Sequence, residues 1–243
     1  MSHGKQFTLY SCTLGPNGWK IPFLLEALGL PYETVYLNIM QGENKEPAFL
    51  GINPNGRIPA IVDHHNNDFI LWESCAILLY IVDRYDTEGK FKYSDPNDQY
   101  RVLQWLFFQA SGQGPYYGQA VHFLMMHPVK VPTALKRYQD EIRRVTGVLE
   151  TALSKSQWLV GDKFGIADMA MFPWQALATR GVFAEGDFDM AKEAPHVHDW
   201  MQRMLEQQPV KKAWSKREEF VKAVSNGPDW QKAHESFAAL SKA

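Results

Sequence analysis

Sulfur is scarce in this chain: Cys12 and Cys75 are its two cysteines among 243 residues, too few for the disulfide framework of a small secreted protein. A reducing compartment is therefore expected. No apolar run approaches the ~18 residues needed to cross a bilayer. The opening MSHGKQFTLY has no apolar signal region either, so the chain reads as soluble, intracellular and cytoplasmic. Neither sign of charge dominates. With 25 Lys+Arg against 27 Asp+Glu, the balance excludes affinity built on phosphate contacts, and neither a nucleic acid nor a membrane is expected as partner. No Gly-x-Ser-x-Gly elbow occurs, which removes the serine hydrolases built on one. The pairs His64-His65 and His196-x-His198 lack the cysteines or acidic residues that would complete four ligands, so no metal is expected. Internal repeats and low-complexity segments are also missing.

Apolar residues make up 45% of the chain, with 8 Trp, 14 Phe and 10 Tyr, enough for a core that buries roughly 70% of the unfolded surface. Phe7 to Tyr10 reads as a strand. A loop follows, then a helix from Trp19 to Leu28 stopped by Gly29, with Pro22 predicting a late start or a bend. Tyr32 to Leu37 reads as a second strand, Glu46 to Ile52 as a short helix, and Asn53-Pro54-Asn55-Gly56 as a turn. Ile58 to Asp63 and Phe69 to Trp72 form a hairpin around a polar tip, and Cys75 to Tyr85 has a helical apolar face. The order is βαβαββα. Past Asp86 strands vanish, and helices are expected over Tyr100 to Phe108, around Leu135 to Leu149, over Ala167 to Thr179 and over Pro195 to Gln207. These patterns place one unit at residues 1–88, a linker at 89–98 and an all-helical unit at 99–243. A charged tail from about Ser215 is expected as a loosely attached helix pair around Asn226-Gly227-Pro228. Ser111 to Gly118 carries three glycines but follows a helix, which reads as a helix break and not as a nucleotide loop.

Two features of the first unit work together. A proline at a strand start predicts a cis Ile58-Pro59 bond and leaves the backbone of Ile58 open to an extended peptide. Glu73-Ser74 lies where a strand meets a helix, so Ser74 and free N–H groups offer a carboxylate site while Glu73 takes an ammonium. Adjacent anion and cation sites fit an α-amino-acid zwitterion with a peptide attached. An ordinary proline turn followed by a capped helix is the competing reading.

The stretch "NPNGRIPAIVDH…LWESCAILLYIVDRY" resembles the glutathione-site half of cytosolic glutathione transferases, a thioredoxin-like domain followed by an all-helical domain. "WLFFQASGQGPYYGQAVHF", "ALKRYQDEIRRVTGVLE" and "WLVGDKFGIADMAMFPW" extend the resemblance over nearly the whole chain. They narrow it to the fungal nitrogen-regulator-like class, related to the folded domain of the yeast prion protein and to the bacterial Nu class. The resemblance implies that glutathione is the co-substrate and that Arg57, Ile58 and Pro59 belong to its site, Ile58 pairing with the cysteinyl unit. It implies that Glu73 and Ser74 hold the γ-glutamyl end and that Asn44, where relatives often carry His or Gln, approaches the glycyl carboxylate. Arg137 matches an arginine directed at glutathione from the neighbouring subunit of a homodimer; an exposed helix arginine is the alternative. Gly165-Ile166-Ala167-Asp168 matches a capping box that normally opens on Ser or Thr, here without a side-chain acceptor.

The loop Thr13-Leu14-Gly15-Pro16-Asn17-Gly18-Trp19-Lys20 settles which chemistry is expected. Gly15 stands in the slot of the serine and cysteine classes, Cys12 comes too early in the loop to replace it, and Cys75 reads as a small buried residue. Asn17 is the signature residue of the resembling class, and its amide can donate a hydrogen bond to sulfur, so the nucleophile would be glutathione's own thiolate; an N-cap is its other reading. The expected function is conjugation of electrophiles, reduction of disulfides and peroxides, or both. The second substrate, a small apolar electrophile or a disulfide, is expected in a cleft framed by Phe107, Phe108, Tyr116, Tyr117, Phe123 and Trp174, which serve equally well as core residues. A regulatory or ligand-carrying protein on the same fold is the alternative. The start at Met1-Ser2-His3, with no Asn/Gln-rich segment before the fold, favours the enzyme.

Overall fold

The computed structural model describes residues 4–178, 182 and 187–225. A four-stranded mixed sheet of order β2-β1-β3-β4 forms the first unit. Its strands are β1 (Phe7–Ser11), β2 (Tyr32–Tyr36), β3 (Ala60–Asp63) and β4 (Phe69–Trp72). The central β1 runs parallel to β2 and antiparallel to β3, and β3 runs antiparallel to β4. Helices α1 (Pro16–Leu28), α2 (Pro47–Leu50) and α3 (Ser74–Tyr85) complete the expected βαβαββα order, and the unit is thioredoxin-like. The ladder of β3 begins at Ala60, opposite Trp72. Ile58, expected inside that strand, therefore lies before the ladder, joined to Pro59 by a cis bond.

Helix α1 opens at Pro16, three residues earlier than Trp19. Proline at the first helical position gives up a donor that has no intrahelical partner anyway and brings a preset φ. The late start anticipated from Pro22 does not occur: the helix runs through Pro22 to a left-handed Gly29 cap. There the N–H of Leu30 bonds the carbonyl of Leu25 at 2.9 Å, the pattern that satisfies the last carbonyls. Every residue of α1 from Gly18 to Leu25 is buried, because the helix lies between the sheet and the second unit. A Cβ on Gly18 would overlap the Ser11 hydroxyl of β1, so only glycine lets helix and strand approach this closely.

The second unit is all-helical: α4 (Pro96–Phe108), α5 (Gly114–Val121), α6 (Pro132–Leu153), α7 (Ile166–Ala178), α8 (Met190–Glu193), α9 (Pro195–Glu206) and α10 (Gln208–Ser225). The break expected at Ser111 to Gly118 is absent. A π-helical turn over Gln109–Gln113 joins α4 to α5. The glycines are there for packing: Gly114 and Gly118 face the Trp174 ring of α7. Residues 215–225, expected as part of a loose tail, continue α10 and dock on α1. Phe220 packs on Tyr36 with ring centroids 4.9 Å apart and on Trp19 at 6.4 Å, and Lys212 bonds Glu26 at 2.6 Å. Thr179 and the tail turn at Asn226-Gly227-Pro228 lie outside the described residues.

Candidate functional site

The loop before α1 carries no reactive side chain of its own. Cys12 is buried, with its sulfur accepting the Gly15 N–H at 3.2 Å. Burial pushes its thiol pKa up, only partly offset by the Gly15 and Leu14 N–H groups and by Arg217. Cys75 is also pushed up by burial. Neither is a ready thiolate. A side chain at Gly15 would meet the Cys12 sulfur at 2.5 Å and Ile58 Cδ1 at 3.2 Å, so the slot is filled by its neighbours. The loop thus sits directly against Ile58, as does Gly18, where a Cβ would stand 3.6 Å from that methyl group.

Asn17 is the second residue of α1 and is half-buried; the N-cap is Gly15, which makes no side-chain capping bond. Asn17 is therefore not the cap. Its Oδ1 accepts the indole N–H of Trp174 at 2.8 Å. An indole nitrogen only donates, so this bond fixes the amide with its oxygen toward α7 and its NH2 group facing away. The first-turn N–H groups of Asn17 and Gly18 have no intrahelical acceptors and add the positive end of the helix at the same place.

The loop leading to Ile58 is tied down by asparagines. Asn53 is buried, donating to the Arg57 carbonyl at 2.6 Å and accepting the Asn55 N–H at 3.0 Å. Asn44 donates to the Gly56 carbonyl at 2.7 Å, so one of its amide hydrogens braces this turn. Arg57 is exposed and Pro59 buried.

At the far end, Glu73 has φ +74° and ψ 110°, a conformation that costs a residue with a side chain about 1–3 kcal/mol and tends to gather at binding sites. It immediately precedes Ser74, the first residue of α3. Beneath Ser74 lies Lys20, fully buried, whose ammonium donates to Ser74 Oγ at 3.1 Å and to Gln109 Oε1 at 2.6 Å. Lys20 was not among the expected site residues. Its signal was present: a charge inside the otherwise apolar run from Trp19 to Leu25.

The aromatic residues expected around a second substrate do not form one wall. Tyr117 must be corrected: it is fully buried, its hydroxyl donating to Gln175 at 2.8 Å, so it is core and lines no open cleft. Its ring lies edge-on to Trp174. Tyr116 and Phe123 both pack on Tyr138, Phe123 stacked at 5.7 Å. Phe108 packs edge-on against Trp105, while Phe107 is 70% exposed. Trp174 alone of the six bonds to Asn17. Arg137 lies exposed on α6. Among the described residues no cluster of three His, Cys, Asp or Glu is placed to hold a metal.

A family model of the glutathione S-transferase N-terminal domain matches residues 5–83, and one of the C-terminal domain matches residues 115–208. Glutathione S-transferase 1 of Schizosaccharomyces pombe is 46% identical over 231 residues, covering 91% of this chain and 99% of the relative. The transcriptional regulator URE2 of Saccharomyces cerevisiae is 37% identical over 243 residues, 85% of this chain and 67% of that protein. The crystal structure of the glutathione transferase URE2P6 from Phanerochaete chrysosporium in complex with oxidized glutathione superimposes with a TM-score of 0.86 at 49% identity. It covers 90% of this chain and 99% of that one. The chain belongs to the glutathione S-transferase family, in its fungal Ure2-like class.

Proposed function

We propose that this protein is a cytoplasmic, homodimeric glutathione transferase in which Asn17 stabilises the thiolate of bound glutathione. The observation that carries the reading is the 2.8 Å bond from Trp174 to Asn17, which leaves the Asn17 NH2 group as a donor in the turn whose glycines, Gly15 and Gly18, lie against Ile58. A thiol with pKa near 8.5 must drop by ~2 units to be mostly ionised at neutral pH, which requires ~2.7 kcal/mol of preferential thiolate stabilisation. One amide donor to a charged sulfur contributes ~1.5–3 kcal/mol and the helix end ~0.3–1 kcal/mol, together about 1.8–4 kcal/mol, a range that brackets the requirement.

The cysteinyl unit pairs with the Ile58 backbone, Glu73 and Ser74 receive the γ-glutamyl zwitterion, and Asn44 and Arg57 lie on the glycyl side. Arg137 of the neighbouring subunit completes the set. In conjugation the thiolate forms a C–S bond at the electrophile, whose leaving group departs with the electron pair. In disulfide reduction it breaks the S–S bond and forms a mixed disulfide, and a second glutathione thiolate releases the substrate thiol with oxidised glutathione as product. The relative crystallised with oxidized glutathione supports this second route.

Asn17→Ala should keep the fold and lower turnover about tenfold or more. Assays of an aromatic electrophile and a disulfide side by side, after calorimetric titration of glutathione, test it. Unchanged rates on both substrates would remove Asn17 from the mechanism, and absence of glutathione binding by the wild type would overturn the whole reading. A regulatory protein without turnover is favoured by one observation, the 37% identical transcriptional regulator. Glutathione binding with no turnover of either substrate would select it.

A further inference from the structure

We infer that Lys20 is a positioning residue for the carboxylate at the γ-glutamyl end of the ligand, acting through the hydroxyl of Ser74. The inference rests on the glutathione reading above and adds to it a residue that has no place in the expected site.

An ammonium has three donors and no acceptor. In the 3.1 Å contact between Lys20 Nζ and Ser74 Oγ the serine oxygen must therefore be the acceptor. Its own O–H is directed away from Lys20, and the first turn of α3 is the place where a carboxylate would meet it. A hydroxyl that already accepts from a cation is also a stronger donor, because successive bonds in a chain polarise one another. Gln109 Oε1, at 2.6 Å, holds the ammonium from the other side. This anchors the arrangement to the π-helical turn of the second unit, so α1, α3 and that turn fix the serine rotamer together.

The charge itself points to the same role. Lys20 is fully buried, yet no carboxylate lies within ion-pair distance of it among the described residues. An isolated buried ammonium is costly unless a counter-charge compensates it. Burial lowers its pKa to about 8; the ionisable groups acting on it are Cys75 and Glu73, both at the start of α3, while Gln109 does not titrate. Glu73 is exposed and is the partner proposed for the ligand's ammonium. The ligand carboxylate, arriving in front of Ser74, supplies the negative charge that Lys20 lacks, and its arrival strengthens protonation of Lys20.

The test uses S-methylglutathione, in which the thiol cannot titrate, and its γ-aminobutyryl analogue, which keeps the amine and the peptide but lacks the α-carboxylate. Calorimetry near pH 8, in buffers of different ionisation enthalpy, reads affinity and proton uptake together. The wild type is expected to prefer S-methylglutathione about tenfold or more and to take up protons as it binds. In Lys20→Met that preference should shrink by about tenfold, with the analogue's affinity changed less than twofold and the proton uptake gone. Lys20→Gln, which keeps a donor for Ser74 without the charge, should restore part of the preference but not the proton uptake. Should the methionine variant fail to fold, as judged by thermal unfolding, the glutamine variant carries the same comparison. An unchanged preference in the folded variants, or an equal loss of affinity for both ligands, would overturn the role of Lys20 while leaving the glutathione reading intact. A wild type that binds neither ligand overturns both.

Discussion

Asn17 commits its oxygen to Trp174 and so has only donors left, a division that a sequence motif cannot express. Replacing Trp174 by Phe keeps most of the packing against Gly114 and Gly118 but removes the indole N–H. Turnover is then expected to fall about two- to tenfold, the range for one oriented hydrogen bond, with glutathione affinity within twofold of wild type. An unaltered kcat in steady-state assays would show that the amide holds its orientation without α7. Asp168 is the second residue with a measurable signature. Its buried carboxylate accepts from Leu159 N and Gly165 N and from the Trp200 indole, yet burial dominates and raises its pKa from the ordinary 3.8 to about 6. Because the folded pKa is the higher one, the folded state binds more protons between those values. Its contribution is full below about pH 4 and is lost as pH rises through about 6, a change of about 3 kcal/mol. Denaturant titrations of wild type and Asp168→Asn between pH 4 and 7 check the sign: the stability difference should move against the wild type as pH rises, and the opposite trend would refute the assignment.

At the scale of elements, the start of α7 shows how a motif is fitted to its surroundings. Half of the expected capping box is made, since Asp168 reaches back to the Gly165 N–H at 3.0 Å. The missing serine has a cause in packing: a Cβ at Gly165 would lie 2.5 Å from the Tyr93 hydroxyl, which itself donates to the Val160 carbonyl. Gly165→Ser, a change that would ordinarily add a few tenths of a kcal/mol or more at an N-cap, is expected to cost about 1–3 kcal/mol here through overpacking. Tyr93→Phe in the same chain should return part of that loss. A serine variant with a higher midpoint than wild type in thermal unfolding would show that Tyr93 moves aside freely. The α10 segment teaches a related lesson. Its buried positions Val210, Ala213, Trp214 and Arg217 follow helical spacing, so a docked helix was legible from Val210 onward, but the lysines and glutamates around Arg217 made the segment from about Ser215 read as a loosely attached helix pair.

For the molecule as a whole, α1 is the shared element. It packs on the sheet side through β1 and α3 and on the helical side through α7 and α10, with Phe23 touching both Phe172 and Trp214. Neither unit has a complete core without it. Thermal unfolding followed by calorimetry, by far-UV dichroism and by tryptophan fluorescence should therefore give one coincident transition. Two resolved transitions would mean that the thioredoxin-like unit and the helical unit are separately stable. The same sandwich explains why α1 was hard to delimit from its pattern: a helix buried on both sides has no polar face to mark its period, and its true start depended on Pro16.

The sequence by itself determined the βαβαββα order of the first unit, the helical character of the second, the cis-proline turn, the Glu73-Ser74 junction and the family. Each of these is written in residues adjacent in the chain, as turn formers, apolar periodicity or a contiguous motif. Tertiary structure alone decided that Gln109 meets Lys20 across 89 residues, that Trp174 orients Asn17 across 157, that Tyr117 is core and not cleft, and that α10 closes over α1. The physical reason is that a hydrogen bond or a packed ring depends on distance in space, and no local period records which distant residue will complete it.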